Sequence, residues 1–506
     1  MTLSGRWADL LALLLGALLT LAFAPFEVRL LAVLIPALML WLWLPLKPKQ
    51  AAWRGWLFGV GLFGTGVSWV YHSLHLFGDA VAPLAAFLTL LFAMFLALFF
   101  ALLGYLFARF PLPSEAKVAR LLLLGPALWV LMELFRGWFL TGFPWLLLGY
   151  AHLDTPLAGY APLLGVLMLS WLSLFSGVLL LLLLGSLWQR QNRRAASLLL
   201  MLSLIWGGGL LLEQFEWSEP VGEPIQVALL QGNVPQDKKY RRQRMRSSIE
   251  RYMELSRQQG EADLIVWPET AVPTYFRNAE ALLQPLVTEL AAKKQDLLLG
   301  TFLADAAEKR YYNAVLNLLH PEEHYYKQHL VPFGEYMPLR FLLDFLSRFI
   351  VIPMSDLAAG EERQPPLAVA GHFAGVAICY ESAYGAVVAG ALPQADFLVN
   401  VSNDAWFGDS LAPEQHLEIV RMRALELSRP LVRATNTGIS AFVDHKGNLL
   451  QRGPMFVEWV MSAEVVPRQG RTGYMIWGSK PLLAALLLLL SVLWWRGKKA
   501  RLAKSV

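Results

Sequence analysis

Apolar residues in this chain fall into two patterns, long unbroken runs and short interrupted ones. Seven runs long enough to matter as membrane spans precede Glu216, and one lies near the end: Ala8–Phe26, Leu30–Leu46, Trp53–Leu74, Pro83–Phe110, Val118–Phe139, Leu157–Leu187, Ala195–Leu212 and Pro481–Trp495. A helix needs about 20 mostly apolar residues to cross the hydrocarbon core of a bilayer, so the pattern predicts eight transmembrane helices. Between the seventh and eighth, the pattern changes to short apolar or β-branched runs that end in polar or proline-containing turns. Strands are expected at Ile225–Gln231, Asp263–Trp267, Asp296–Phe302, Tyr312–Leu319, His324–Leu330, Gly375–Cys379, Phe397–Val401 and Pro430–Val443. Helical periodicity covers Arg241–Gln258, Ala279–Lys294 and Pro413–Ser428. Strands alternating with helices predict layered sheets covered by helices. The expected organisation is a membrane domain at 1–215, an α/β domain at 216–479, and a last span with a basic tail at 480–506.

Composition agrees with that division. The chain is 56% apolar and only 16% charged, with mean hydropathy +0.46, against about 45–50% and about 25% for soluble globular chains. So few charges cannot clothe a soluble protein of 506 residues, which argues against a cytosolic enzyme, a disordered chain or a fibre. The net charge of +5 is too small to point to nucleic acid without a clustered basic face. Basic residues do set an orientation. Arg6, Lys47, Lys49, Arg54, Arg109, Lys117, Arg120, Arg190, Arg193, Arg194 and the cluster from Arg496 to Lys504 all fall in loops on the side shared by both termini. The intervening loops are nearly free of them. By the positive-inside rule both termini are expected in the cytoplasm and the α/β domain outside it, in the periplasm of a Gram-negative cell. Arg6 followed by an apolar stretch and Ala22-Phe23-Ala24 has the outline of a signal peptide. Because it leads directly into a second span, it is read as an uncleaved first helix.

Candidate chemistry gathers in the α/β domain. The chain has one cysteine, Cys379, which excludes an intrachain disulfide framework and any multi-cysteine metal site. It follows the small-residue strand Gly375-Val-Ala-Ile at an expected strand-to-helix turn, where nucleophiles gather in α/β sheets; free cysteine is also often plain core filler. Glu269 closes Leu264-Ile-Val-Trp-Pro-Glu, and the proline, which cannot continue a central strand, presents the carboxylate just beyond the strand end. Lys327 lies in the aromatic strand Tyr325-Tyr-Lys, and Glu335 sits between Pro332 and Pro338. A thiolate attacks, a carboxylate takes the thiol proton, and an ammonium stabilises an oxyanion, so these side chains form a usable set. His320, His324, His329 and His416 are the alternative bases. No Cys/His cluster is present, and no Walker or Rossmann glycine loop precedes a helix, so neither a metal nor another cofactor is expected.

Trp-Pro-Glu at 267–269, Lys-Gln-His-Leu-Val-Pro-Phe-Gly-Glu-Tyr at 327–336 and Cys-Tyr-Glu at 379–381 resemble the Glu–Lys–Cys signature of the nitrilase superfamily, whose domains are α-β-β-α sandwiches. With eight expected spans, and with Asn403-Asp-Ala-Trp-Phe-Gly, Arg421-Met-Arg-Ala-Leu-Glu and Phe143-Pro-Trp, the whole chain resembles the apolipoprotein N-acyltransferase family of the bacterial inner membrane. That resemblance implies an acyl donor phospholipid, usually phosphatidylethanolamine, and a thioester on Cys379. The acceptor is the α-amino group of the diacylglyceryl-cysteine that begins an apolipoprotein. It assigns Cys379 as nucleophile, Glu269 as general base, Lys327 as oxyanion stabiliser and Glu335 as the residue orienting the lysine. Tyr380 and Glu381 would support the nucleophile. Tyr240 stands near where relatives carry a tryptophan, which puts an aromatic contact there in doubt. Trp406 is a further candidate for substrate contact.

Two more features suggest lipid handling. The stretch 339–353, with Phe345, Leu346 and Phe349, is too apolar for an exposed loop and too short to span, and is read as a lid or membrane-contacting arm or, failing that, a core helix. Replacing Phe345, Leu346 and Phe349 by serine is expected to slow acyl transfer from phospholipid; transfer at the unaltered rate removes the lid. Glu133 and Arg136 interrupt the fifth span on one helix face, and are read as shaping a head-group entrance or, more plainly, as an interfacial ion pair. Two other functions share parts of the pattern. A membrane-tethered amidase or nitrilase would use the same set with water as acceptor, and a transporter would use the outer domain only to bind. The transporter lacks paired discontinuous segments in two halves.

Overall fold

The computed structural model describes residues 5–113, 115–236, 242–305, 310–337 and 356–504. Tyr240, Phe345, Leu346 and Phe349 lie outside them. The chain divides into two compact units: Met1–Tyr71, Ala86–Glu216 and Ile476–Val506 form the first, and His72–Ala85 with Trp217–Met475 the second.

In the first unit, five helices among the described residues are long and apolar enough to cross a membrane: Ala82–Arg109, Lys117–Arg136, Val166–Trp188, Asn192–Glu213 and Lys480–Leu502. Leu30–Trp43 is apolar but shorter. The first and third expected spans coincide with the helices Arg6–Leu19 and Pro48–Gly66, which are not among the five. The sixth apolar run is not one helix. Its first third forms short turns at Pro156–Tyr160 and Ala161–Leu164, and the long helix starts only at Val166. Pro156 and Pro162 favour helix starts, and Gly165 at φ 78° breaks the axis between them and the long helix. Large apolar side chains such as Phe87, Leu90, Leu98 and Leu102 stand exposed along Ala82–Arg109, as they would on a lipid-facing helix. Helices approach closely through small residues: a Cβ on Gly16 would fall 1.9 Å from the Phe58 carbonyl oxygen. Ala22, Phe23 and Ala24, the apparent cleavage site, are buried.

Among its described residues the second unit has fourteen strands: β1 Ser218–Pro220, β2 Ile225–Gln231, β3 Leu264–Val266, β4 Asp296–Asp305, β5 Arg310–Asn317, β6 His324–Tyr326, β7 Leu367–Val369, β8 His372–Ile378, β9 Phe397–Ser402, β10 Leu431–Thr435, β11 Ala441–Val443, β12 Leu449–Arg452, β13 Trp459–Val465 and β14 Arg468–Gly470. Two six-stranded sheets run β13-β2-β3-β4-β5-β6 and β12-β11-β10-β9-β8-β7, and β1 pairs with β14. β2, β3 and β4 are parallel, as are β8, β9 and β10. These strands are apolar on both faces, as central parallel strands must be. Val227, Leu229, Val266 and Leu298 face Val376, Ile378, Val399 and Val432 in a core between the sheets. The alternate residues Ala228, Leu230, Ile265 and Leu299 pack under the helices Arg242–Arg257 and Phe276–Lys293. Ala377, Leu398 and Leu431 pack under Ala412–Leu427. The layers are therefore helix, sheet, sheet, helix. The single strand expected at Pro430–Val443 is two, β10 and β11, because Asn436-Thr-Gly turns the chain and the strands pair antiparallel.

Candidate active site

Glu269, Lys327 and Cys379 each stand just beyond the end of a strand, β3, β6 and β8 in turn, and β3 and β8 are parallel strands. β3 stops at Val266, Pro268 prevents its continuation, and Thr270 turns sharply with φ 49°. The carboxylate of Glu269 is held between them. Gly300 of β4 lets the turn sit this close: a Cβ there would lie 2.6 Å from the Pro268 oxygen. β8 delivers Cys379 onto a short 3-10 turn, Cys379–Ala383, with φ 53° at the cysteine itself. A non-glycine residue in that region carries about 1–2 kcal/mol of strain. Lys327 follows β6 directly, and its N–H bonds to the Asn313 carbonyl of β5 at 2.8 Å.

The polar contacts converge. The Lys327 ammonium, 1% exposed, donates to Glu269 Oε1 at 3.2 Å and to Glu335 Oε1 at 2.8 Å. Asn313 Nδ2 donates to the same two oxygens, at 2.8 and 3.0 Å. Glu269 Oε2 accepts the Asn403 N–H at 2.9 Å, and Glu335 Oε2 accepts that of Val331 at 2.8 Å. Burial alone would lower the Lys327 pKa, but Glu269, Glu335 and Cys379 outweigh it and hold the ammonium well above its ordinary value. Burial and the Glu269 carboxylate push the Cys379 thiol up, against the pull of Lys327. Losing the thiol proton at rest is thus disfavoured, and Glu269 is close enough to oppose the thiolate and to take that proton as the sulfur attacks.

Glu381 ties the two halves together. One oxygen accepts the N–H groups of Gln328 and His329, just after the lysine, at 2.5 and 3.0 Å. The other accepts the Ile378 N–H, just before the cysteine, at 2.7 Å and the Tyr325 hydroxyl at 3.1 Å. Burial pushes its carboxyl up to about 7, opposed by these N–H donors and Lys327. Tyr380 and Tyr384 join through their hydroxyls at 3.3 Å, and the His329 ring stacks on Tyr384 with centroids 3.6 Å apart.

Among the expected residues, Glu269, Lys327, Glu335, Tyr380 and Glu381 thus gather around Cys379. Trp406 is placed differently: its carbonyl accepts from Ser73 at 2.8 Å and its ring meets Phe77 at 5.4 Å, which draws His72–Ala85 into this unit rather than the first. In the first unit, Glu133 and Arg136 are buried and hold a loop. Glu133 accepts from Trp129 and from the Leu148 N–H, at 3.1 and 2.8 Å. Arg136 donates to the Phe143 and Trp145 carbonyls at 2.6 Å each. A head-group entrance needs these groups presented outward; they are instead turned onto the backbone of 143–148.

Asn313 was not anticipated, although an amide between Tyr312 and the apolar run Ala314-Val-Leu of β5 is a signal that a partner waits there. Also unanticipated were Asp404 and Arg433, which with His416 form a wholly buried cluster behind the cysteine. Among the described residues no group of three or more His, Cys, Asp or Glu side chains is placed to hold a metal ion.

Residues 15–179 match the apolipoprotein N-acyltransferase N-terminal domain, and residues 226–472 match the carbon-nitrogen hydrolase family. The chain is 42% identical over 478 residues to the apolipoprotein N-acyltransferase of Methylococcus capsulatus, covering 94% of each chain. It is 43% identical over 511 residues to that of Pseudomonas syringae pv. tomato, covering 100% of this chain and 99% of the relative. With that of Pseudomonas paraeruginosa it shares 44% identity over 493 residues, covering 96% and 95%. Similarity of this extent runs through both units, and the chain belongs to the apolipoprotein N-acyltransferase family.

Proposed function

We propose that this protein moves an acyl chain from a membrane phospholipid, phosphatidylethanolamine first among them, to the N-terminal α-amino group of a diacylglyceryl-modified apolipoprotein, in two half-reactions through Cys379. In the first, the sulfur attacks the ester carbonyl, a C–S bond forms, and the thiol proton passes to Glu269. The glycerol oxygen leaves, takes that proton, and departs as a lysophospholipid. In the second, the neutral amine attacks the thioester, yields a proton to Glu269, and the sulfur regains it as the C–S bond breaks. The oxyanion of each step is met by the Lys327 ammonium and the Tyr380 N–H. Glu335 and Asn313 keep the lysine aimed, and Glu381 keeps its strand against that of the cysteine. One observation carries the reading: a buried thiol, a carboxylate and a doubly paired lysine act on one another in one site.

The lipid donor is supported by the five long apolar helices. Leaving apolar surroundings costs an acyl chain about 0.8 kcal/mol per CH₂, so the ester is best met at the membrane. The distribution of basic loops supports eight spans, an inner-membrane location with both termini cytoplasmic, and a periplasmic catalytic unit.

The test is intact-mass spectrometry of the purified protein after incubation with phosphatidylethanolamine. One fatty acyl group is expected on Cys379, removed by neutral hydroxylamine and stable for hours until an amine acceptor is added. A protein that gains no adduct, or one that hydrolyses it at once without acceptor as an amidase would, refutes the proposal.

A further inference from the structure

Behind the nucleophile lies a polar cluster with no part in the proton transfers above. His416 is fully buried, on the helix Ala412–Leu427. Its Nε2 stands 3.1 Å from the carbonyl oxygen of Cys379 and 2.9 Å from Ser382 Oγ. Ser382 Oγ itself donates to the same Cys379 carbonyl at 3.0 Å. On the other side of the ring, Nδ1 lies 3.1 Å from Arg433 Nη2 and 3.0 Å from Asp404 Oδ1. Arg433 pairs with Asp404 Oδ2 at 2.6 Å, and Ser402 donates to Oδ1 at 2.8 Å. Nδ1 is thus flanked by a guanidinium, which only donates, and by the Asp404 carboxylate, which only accepts; the Cys379 carbonyl also only accepts, so the tautomer that serves it carries the ring proton on Nε2, with Nδ1 accepting from Arg433. Burial and Arg433 lower the His416 pKa, against the opposing pull of Asp404.

In that tautomer the Cys379 carbonyl takes two donors, His416 Nε2 and Ser382 Oγ, at a residue whose φ of 53° is in the left-handed region. A trans peptide unit is rigid and planar, with its C=O and N–H on opposite edges. Clamping the Cys379 oxygen consequently aims the N–H of Tyr380 away from the His416 side. That N–H is the backbone donor assigned above to the oxyanion.

We propose that His416, with Ser382, is a positioning residue that holds the Cys379–Tyr380 peptide plane so that the Tyr380 N–H meets the oxyanion. The inference rests on the acyl-transfer reading. Asp404 neutralises Arg433, and Arg433 sets the tautomer of His416, so the whole cluster serves one peptide unit. Arg433 also donates to Asn400 of β9, anchoring the cluster in the sheet.

The experiment measures single-turnover acylation of the full-length protein by phosphatidylethanolamine in detergent micelles, by intact mass, for the unaltered protein, His416→Ala, His416→Gln, Ser382→Ala and the His416→Ala, Ser382→Ala pair. Alkylation of Cys379 by iodoacetamide is followed beside it. Losing an oxyanion donor costs about 10²–10³ in rate, and misaiming one is expected to cost about 10- to 100-fold. His416→Ala should slow acylation by that factor at saturating lipid, with the half-saturating lipid concentration and the alkylation rate unchanged. His416→Gln, whose amide N–H can reach the same carbonyl, should recover most of the rate. The double variant should lose less than the product of the single losses, because both donors act on one plane. Acylation by His416→Ala within two-fold of the unaltered protein overturns the proposal, as does a His416→Gln variant equally slow, or a parallel loss of alkylation. If His416→Ala does not fold, an unslowed Ser382→Ala overturns it. Failure of the unaltered protein to acylate is a different result and refutes the acyl-transfer reading itself.

Discussion

Cys379→Ser and Cys379→Ala are expected to carry no acyl group after incubation with phospholipid, while folding and inserting as the unaltered protein does. The chain has no second thiol that could take over. Serine keeps the volume of the site within one atom, but its hydroxyl is far less acidic than the thiol, and the site already pushes even the thiol up. Glu269 would then face a proton it cannot remove. Alanine leaves a gap the size of one sulfur, a small loss for a core of this size. The measurement is the same intact mass, with a thermal melt to show that the fold survives. An adduct on either variant would move the nucleophile elsewhere and remove the basis of the mechanism.

Lys327→Ala is expected to lose both chemistry and stability. Its ammonium is the counter-charge to two carboxylates, Glu269 and Glu335, within 3.2 Å. Removing it leaves both acids buried together, and breaking a buried pair from one side costs about 3–5 kcal/mol. Loss of an oxyanion donor takes a further ~10²–10³ in rate. The check is a melt of Lys327→Met against Lys327→Met, Glu335→Gln. The second substitution removes one stranded charge, so it should recover part of the stability while acylation stays absent. If Lys327→Met alone melts as the unaltered protein does, the lysine does not carry this electrostatic role. Glu269→Gln is the contrasting case, since it removes a negative charge rather than stranding one; it should stop acylation with a smaller loss of stability.

Much of this was legible in one dimension because the governing physics is local. Unbroken apolar length marks a segment for lipid, and five such helices stand close to where the runs place them. Period-two and continuous apolar runs mark buried strands, and β2, β3, β4, β8 and β9 fall within a few residues of expectation. Glu269, Lys327 and Cys379 were visible because each chemical group directly follows or closes a strand, and strand ends can be read from Pro, Gly and composition.

What the chain order could not disclose is pairing between distant segments. β13 joins the first sheet beside β2, some 230 residues earlier, at register Trp459 to Gln231. Its exposed, mixed pattern looks like loop until a neighbour supplies its hydrogen bonds. Asn313 and the Asn403 N–H acquire a role only when two sheets bring them to one carboxylate. Glu133 and Arg136 read as a head-group entrance or an interfacial ion pair until the loop at 143–148 folds back onto them. His416, Asp404 and Arg433 come from a helix, a turn and a strand, and only packing makes them one cluster under a cysteine carbonyl. The residues along the chain thus determined which segments meet lipid, which form strands and which groups can react. The tertiary structure alone decided which of those groups share a site, because a carboxylate is a base, a clamp or a loop brace according to the donors that reach it through space.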